Sequence, residues 1–125
     1  MKNNQVVLIA EDDDISFQFL QTVLNKMSIS SLRAKNGEQA VNICLNSPEV
    51  KIVFMDIKMP KLDGLSATKR IKAVRPDVII IAQTAYALNS EKAELLREGC
   101  DDYISKPIDM DLFIKIVKKY LNLNE

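Results

Sequence analysis

Residues 50–56 of this chain, VKIVFMD, decide the fold that we expect for it. The segment is apolar apart from Lys51, and it ends on a carboxylate, Asp56. A short, continuous apolar run is typical of a strand that is covered on both faces, as in a parallel sheet. At the end of such a strand Asp56 lies at the edge of the core, where an ionised carboxylate is costly unless a charged group pairs with it.

Similar apolar runs occur on both sides of this segment, and residues at helical spacing separate them. The last of the four intervening helices is predicted at residues 89–98, where Gly99 ends it. Right-handed crossovers between parallel strands then give an α/β fold, a doubly wound five-stranded parallel sheet with helices on both faces. A fifth helix, capped by Asp109, closes the chain. The predicted strands span residues 6–10, 30–34, 50–55, 78–82 and 102–105.

The composition indicates one domain and excludes several classes of protein. The 125 residues fit a single domain spanning 1–125. Seventeen basic residues balance 17 acidic ones, so the net charge does not attract nucleic acid or an anionic membrane. No apolar stretch approaches the roughly 18 residues that span a bilayer, and we expect a cytoplasmic protein. Because the chain has no histidine, Ser-His-Asp or Cys-His catalysis and zinc sites of cysteine and histidine are excluded.

Five polar side chains end or follow the predicted strands: Glu11, Asp12, Asp56, Thr84 and Lys106. Because the carboxyl ends of parallel strands meet at one edge of the sheet, we expect all five in one crevice. Carboxylates about 5 Å apart repel each other by roughly 3 kcal/mol per pair at an effective dielectric near 20. Mg²⁺, which prefers oxygen ligands, relieves that repulsion. A phosphoryl group on Asp56 would meet a metal ion, an ammonium group and a hydroxyl group, which phosphoryl transfer requires.

The acidic cluster at residues 11–14 also has a simpler explanation, since acidic side chains cap helices. We prefer that explanation for Asp13 and Asp14 only. Cys44 and Cys100 form no CxxC pair and are predicted to be reduced structural thiols.

Four segments carry a resemblance to a known family: LIAEDDD (8–14), VFMDIKMPKLDGL (53–65), IIAQTA (80–85) and GCDDYISKPID (99–109). Over essentially its whole length the chain resembles the receiver domain of response regulators. The resemblance implies a flavodoxin-like sheet with strand order 2-1-3-4-5. It also implies that Asp56 accepts a phosphoryl group from a phosphohistidine on a sensor histidine kinase or a histidine phosphotransfer protein.

The same resemblance implies roles for individual residues. Asp12, Asp56 and the backbone carbonyl of Lys58 would bind Mg²⁺, with Glu11 acting largely through water. Lys106 would bind the phosphoryl group. Thr84 and Tyr103 would form a switch pair, although Tyr103 is also explained as an ordinary strand aromatic. Lys58 and Tyr86 occupy positions that influence the dephosphorylation rate in the family.

We expect the protein to signal through a conformational change rather than by converting a substrate. The chain would promote only its own phosphorylation and slow dephosphorylation, so we do not expect an enzyme. Phosphorylation would change the face made by the fourth helix, the fifth strand and the fifth helix, which a downstream protein target would bind. A phosphorylation-dependent dimer remains open, and we expect neither nucleic acid nor a membrane as a direct partner.

Two alternatives place different chemistry in the crevice. A small Mg²⁺-dependent aspartyl-phosphate phosphatase usually has a second acid two residues after its nucleophile, where this chain has Lys58. A flavin carrier needs a phosphate-binding loop rich in Ser, Thr and Gly after the first strand. This chain has four acidic residues there, whose charge has the wrong sign for an anionic cofactor.

Overall fold

The computed structural model describes residues 5–85 and 89–122 of the chain. The strands are all parallel and form one sheet, and their order along it is second, first, third, fourth, fifth. The alternation of five strands with five helices and this order confirm the predicted doubly wound fold. The strands are β1 (Val6–Ala10), β2 (Ser30–Ala34), β3 (Val50–Asp56), β4 (Ile79–Thr84) and β5 (Asp102–Ser105), and the helices are α1 (Asp14–Lys26), α2 (Gly37–Asn46), α3 (Gly64–Val74), α4 (Asn89–Arg97) and α5 (Met110–Leu121).

The central strands extend further toward the carboxyl edge than their apolar runs predicted. Asp56 pairs with Gln83 and is the last residue of β3, and Thr84 is the last residue of β4. At the other end of β4, Val78 is buried but lies outside the strand, because its backbone N–H donates to the carbonyl of Arg75. Backbone pairing thus holds Asp56 and Thr84 inside the sheet.

Side chains alternate between two apolar layers, one on each face of the sheet. On the face covered by α2, α3 and α4, the core includes Leu8, Val53 and Ile80. On the face covered by α1 and α5, Phe54 packs against Phe113 with ring centroids 4.6 Å apart. Because both faces are covered, the polar groups at the strand ends lie along the carboxyl edge of the sheet.

Asp13 caps α1, since its side chain accepts a hydrogen bond from the backbone N–H of Ser16 at 2.8 Å. That bond lowers the pKa of Asp13. Asp109 caps α5 in the same way. Asp14 belongs to the first turn of α1 and pairs with Arg33 of β2 at 2.9 Å. The capping explanation is therefore confirmed for Asp13 and Asp109, whereas Asp14 instead supports the helix start through its charge.

The remaining local predictions concern Gly99, the two cysteines and Tyr86. Gly99 has a φ of 113° after α4, the left-handed region that a helix-ending glycine adopts readily. Cys44 and Cys100 are buried and free, as predicted. Tyr86 lies outside the described residues. Within the described part of the chain, every helix is too short or too polar to cross a bilayer.

Candidate active site

The three predicted carboxylates converge at the carboxyl ends of β1 and β3. Glu11, Asp12 and Asp56 each offer one oxygen, and these oxygens lie within 4.8 Å of one another. Glu11 is fully buried and Asp56 is 7% exposed, while Asp12 is exposed. The backbone N–H of Glu11 donates to the carbonyl of Ala34 at 2.9 Å, which continues the pairing of β1 with β2 beyond the strands.

Lys106 lies between two of these carboxylates. Its Nζ is 3.2 Å from Oε1 of Glu11 and 3.2 Å from Oδ2 of Asp56. The backbone N–H of Lys106 donates to the carbonyl of Thr84 at 2.8 Å, so the end of β4 positions the lysine. Burial alone lowers the pKa of Lys106, but the charges of Asp56 and Glu11 and the hydrogen bonds to them together outweigh it, so the pKa of Lys106 is raised. The ammonium group is therefore charged at neutral pH.

The buried position of Glu11 changes its acidity. Burial raises the pKa of Glu11, and the nearby charge of Asp56 raises it further. Two interactions oppose this rise: Oε2 of Glu11 accepts from the backbone N–H of Asp13 at 3.2 Å, and Lys106 carries the opposite charge. The first two effects together outweigh these interactions, so the pKa of Glu11 is raised, with its burial as the main cause.

The side chains present fit a divalent cation. Three carboxylates face one ammonium group, an excess of two negative charges when all are ionised. Hard oxygen donors that are partly open to water are the ligands that Mg²⁺ prefers. Asp12 is exposed and lines an open depression with Lys58, Met59 and Asp63, so an ion with its remaining water ligands has access to the cluster.

Asp56 also opens onto a cavity of about 300 Å³ beside Thr84 and Lys106. Oδ1 of Asp56 accepts a hydrogen bond from the backbone N–H of Lys58 at 3.2 Å. Gly64 lies against this loop, since a Cβ atom there would be 2.3 Å from the carbonyl oxygen of Asp56. The carboxylate is thus held in place on one side and accessible on the other, as a nucleophile must be.

Thr84 and Tyr103 lie on the same face of the sheet. Thr84 pairs with Ser105, and Tyr103, two residues earlier on β5, pairs with Ala82. Tyr103 is partly buried against the core layer under α2, α3 and α4, and the ammonium group of Lys92 on α4 lies 5.0 Å from its ring centroid. The sheet therefore brings the predicted switch residues together, while their role stays a prediction.

Sequence reasoning missed two side chains near the site. Gln83 is fully buried, donates from Nε2 to the carbonyl of Phe54 at 3.1 Å, and lines the cavity beside Asp56. Arg33 donates from Nε to the carbonyl of Glu11 at 3.1 Å. Gln83 directly follows the apolar run of residues 78–82. A polar amide at that position was a signal from which its place near the site could have been predicted. Nothing in the weak pattern of β2 pointed to Arg33.

Comparison with known proteins places this arrangement in a family. The sequence model of the response regulator receiver domain matches residues 7–118. Hybrid signal transduction histidine kinase I of Dictyostelium discoideum is 35% identical over 96% of this chain, which spans 8% of that kinase. The polar-differentiation response regulator DivK of Brucella anthropi is 30% identical, with 92% of this chain and 94% of the relative covered.

Solved structures agree with both the fold and the family. The receiver domain of the Saccharomyces cerevisiae response regulator Ssk1, crystallised with the histidine phosphotransfer signalling protein Ypd1, has a TM-score of 0.90 and 33% identity over 95% of this chain and 90% of that one. The receiver domain of the sensor histidine kinase PA1611 from Pseudomonas aeruginosa has a TM-score of 0.86 and 29% identity over 94% of this chain and 98% of its own, with a magnesium ion coordinated in its active-site cleft. This chain belongs to the family of response regulator receiver domains.

Proposed function

We propose that this receiver domain stores a phosphoryl group on Asp56 as a signalling switch in a two-component or phosphorelay system. The observation that carries the proposal is the position of Lys106, whose Nζ lies 3.2 Å from both Asp56 and Glu11 in a cluster with excess negative charge. A nucleophilic carboxylate, a fixed cation and a set of metal ligands at one strand edge are the parts that phosphoryl transfer to aspartate requires.

In the transfer step an oxygen of Asp56 attacks phosphorus. The bond from phosphorus to the donor's imidazole nitrogen breaks, and its electron pair stays on the ring. Lys106 and the hydroxyl of Thr84, which line the same cavity, then meet the phosphoryl oxygens. Asp12, Asp56 and the carbonyl of Lys58 would hold Mg²⁺, with Glu11 acting through water, and the ion would supply the remaining positive charge.

The surface beside the site supports a protein as the phosphodonor. A cleft of about 340 Å³ joins Lys106 to apolar side chains that include Ile15, Phe19 and Ile108. Ile15 is 78% exposed and Phe19 is 40% exposed. Apolar side chains grouped beside a charged site are typical of a protein-binding surface. The chain has no histidine, so the phosphohistidine lies outside these 125 residues, on a sensor histidine kinase or a histidine phosphotransfer protein.

The proposed output is a change on the face made by α4, β5 and α5. A phosphoryl group on Asp56 draws the hydroxyl of Thr84 toward it, and Tyr103 turns toward the core. Inward rotation breaks the contact of the Tyr103 ring with Lys92 and presents a different surface to a downstream protein.

The test is phosphorylation in solution. The protein is incubated with acetyl phosphate and Mg²⁺, and intact mass spectrometry measures the product. We expect one added phosphoryl group on the wild type and on Asp111→Asn, an exposed control on α5, and none on Asp56→Asn. An unmodified wild type, or equal modification of Asp56→Asn, would contradict the proposal. Sustained turnover of an aryl phosphate would favour the phosphatase alternative instead.

A further inference from the structure

We infer that Arg33 is a positioning residue for the metal site, holding the acidic loop after β1 so that Glu11 and Asp12 face Asp56. The inference rests on the proposed binding of Mg²⁺ by this cluster. Arg33 lies on β2, an edge strand of the sheet, in register with Ile9 of β1. From there its side chain crosses the end of β1 and reaches the first turn of α1.

Three contacts hold the guanidinium group against the loop. Nε donates to the backbone carbonyl of Glu11 at 3.1 Å. Nη1 lies 2.9 Å from Oδ1 of Asp14. The guanidinium carbon is 4.6 Å from the ring centroid of Phe17. The Arg33 side chain therefore connects Glu11, at the start of the acidic loop, with α1, which follows that loop.

The hydrogen bond to Glu11 is the contact that matters most for the site. Glu11 lies just beyond the end of β1, where the ladder between β1 and β2 ends at Ala10 and Ala34. The Glu11 N–H continues that pairing to Ala34, and Arg33 supplies the donor for the Glu11 carbonyl. With its N–H and its carbonyl both bonded, Glu11 is fixed on both sides of its Cα atom, which sets the direction in which the chain continues to Asp12.

The ion pair with Asp14 contributes less. The side chain of Asp14 is 72% exposed, while that of Arg33 is 18% exposed. Exposed ion pairs are weak because water and salt screen them. Loss of Asp14 alone should therefore leave the loop in place, since the Glu11 carbonyl and Phe17 still hold the guanidinium group.

The charge of Arg33 and its positioning role predict opposite effects on metal affinity. Removing a positive charge near a cation site reduces electrostatic repulsion, so charge alone predicts tighter binding of a metal ion. Loss of positioning predicts weaker binding, because misdirected ligands no longer converge. The sign of the change therefore separates the two explanations.

The experiment measures Mn²⁺ binding by electron paramagnetic resonance, with Mg²⁺ as the competitor. Arg33→Met keeps the apolar stem, and Arg33→Lys keeps the charge but loses the planar fork of donors. We expect both variants to bind the metal about tenfold more weakly than the wild type, the lower end of the usual loss when a residue orienting the ligands is removed. Arg70→Met, an exposed arginine on α3, is the matched control and should bind as the wild type does.

Circular dichroism at each binding temperature establishes that the variants are folded, and Arg33→Lys carries the test if Arg33→Met does not fold. Wild-type or tighter affinity in a folded Arg33 variant overturns the inference while leaving the proposed function intact. A wild type that fails to bind Mn²⁺, or that binds it no better than Asp12→Asn, overturns the proposed metal site and this inference with it. Asp14→Asn should fall close to the wild type, and a tenfold loss there would reassign the effect to the ion pair.

Discussion

Replacing Lys106 with methionine should destabilise the protein without magnesium and much less with it. The substitution keeps most of the aliphatic stem and removes the ammonium group that lies 3.2 Å from both Glu11 and Asp56. Three carboxylates whose oxygens lie within 4.8 Å of one another then lose that counter-charge. At that distance a like-charged pair costs about 3.5 kcal/mol at an effective dielectric near 20.

The expected loss is smaller than this Coulomb figure. Removing one partner of a fully buried ion pair costs about 3–5 kcal/mol. The Lys106 side chain is 28% exposed, so water compensates for part of the lost interaction. We therefore expect the free energy of unfolding to fall by about 2 kcal/mol without metal, below the range for a fully buried pair.

Magnesium should reverse most of this loss. A ligand at about 100 times its dissociation constant stabilises the folded state by about 2.7 kcal/mol. The variant should gain more than the wild type from the same Mg²⁺ concentration, because the ammonium group of Lys106 no longer repels the cation. The difference in stability between the two proteins should therefore shrink as Mg²⁺ is added.

The assay is urea unfolding followed by circular dichroism, with and without Mg²⁺. Lys115→Met, which removes an exposed lysine from α5, is the matched control and should change the unfolding free energy little. The reasoning is refuted if Lys106→Met is as stable as the wild type without Mg²⁺, or if its deficit is the same at every Mg²⁺ concentration.

Three further predictions follow from the contacts. Because the folded-state pKa of Glu11 is raised above 4.5, its contribution to stability is complete below that pH and is lost as the pH rises through the folded value. Without metal, the unfolding free energy of Glu11→Gln should therefore fall less steeply above pH 4.5 than that of the wild type. An unchanged slope would count against this. Burial, followed by the hydrogen bond to Asp102 at 2.8 Å, raises the pKa of Tyr120 to about 12; the ultraviolet difference titration of wild type minus Tyr120→Phe should have its midpoint there, and a midpoint near 10 would contradict it. Gly64→Ala should lower the unfolding free energy by about 2 kcal/mol or more, since its Cβ would lie 2.3 Å from the Asp56 carbonyl oxygen; a melting temperature equal to the wild type would show that the loop gives way.

Much of the candidate site could be predicted because its residues lie at the ends of apolar runs. The run before Asp56 predicted a buried strand, and a parallel sheet brings the ends of its strands to one edge. The grouping of Glu11 and Asp12 with Asp56 followed from that rule, and their oxygens lie within the predicted distance of about 5 Å. Local patterns failed where hydrogen bonding decides the boundary, as at the end of β4, which reaches Thr84 instead of stopping with the apolar run.

The sequence by itself determined the order of strands and helices, the edge at which the polar groups meet, and the excess of acidic over basic groups there. Only the tertiary structure decided that Lys106 lies at equal distances from Glu11 and Asp56, and that Arg33 supports the carbonyl of Glu11. The physical reason is the distance along the chain over which each interaction acts. Strand and helix patterns depend on neighbours a few residues apart, whereas Lys106 and Arg33 meet Glu11 across 95 and 22 residues of chain, through the packing of separate strands.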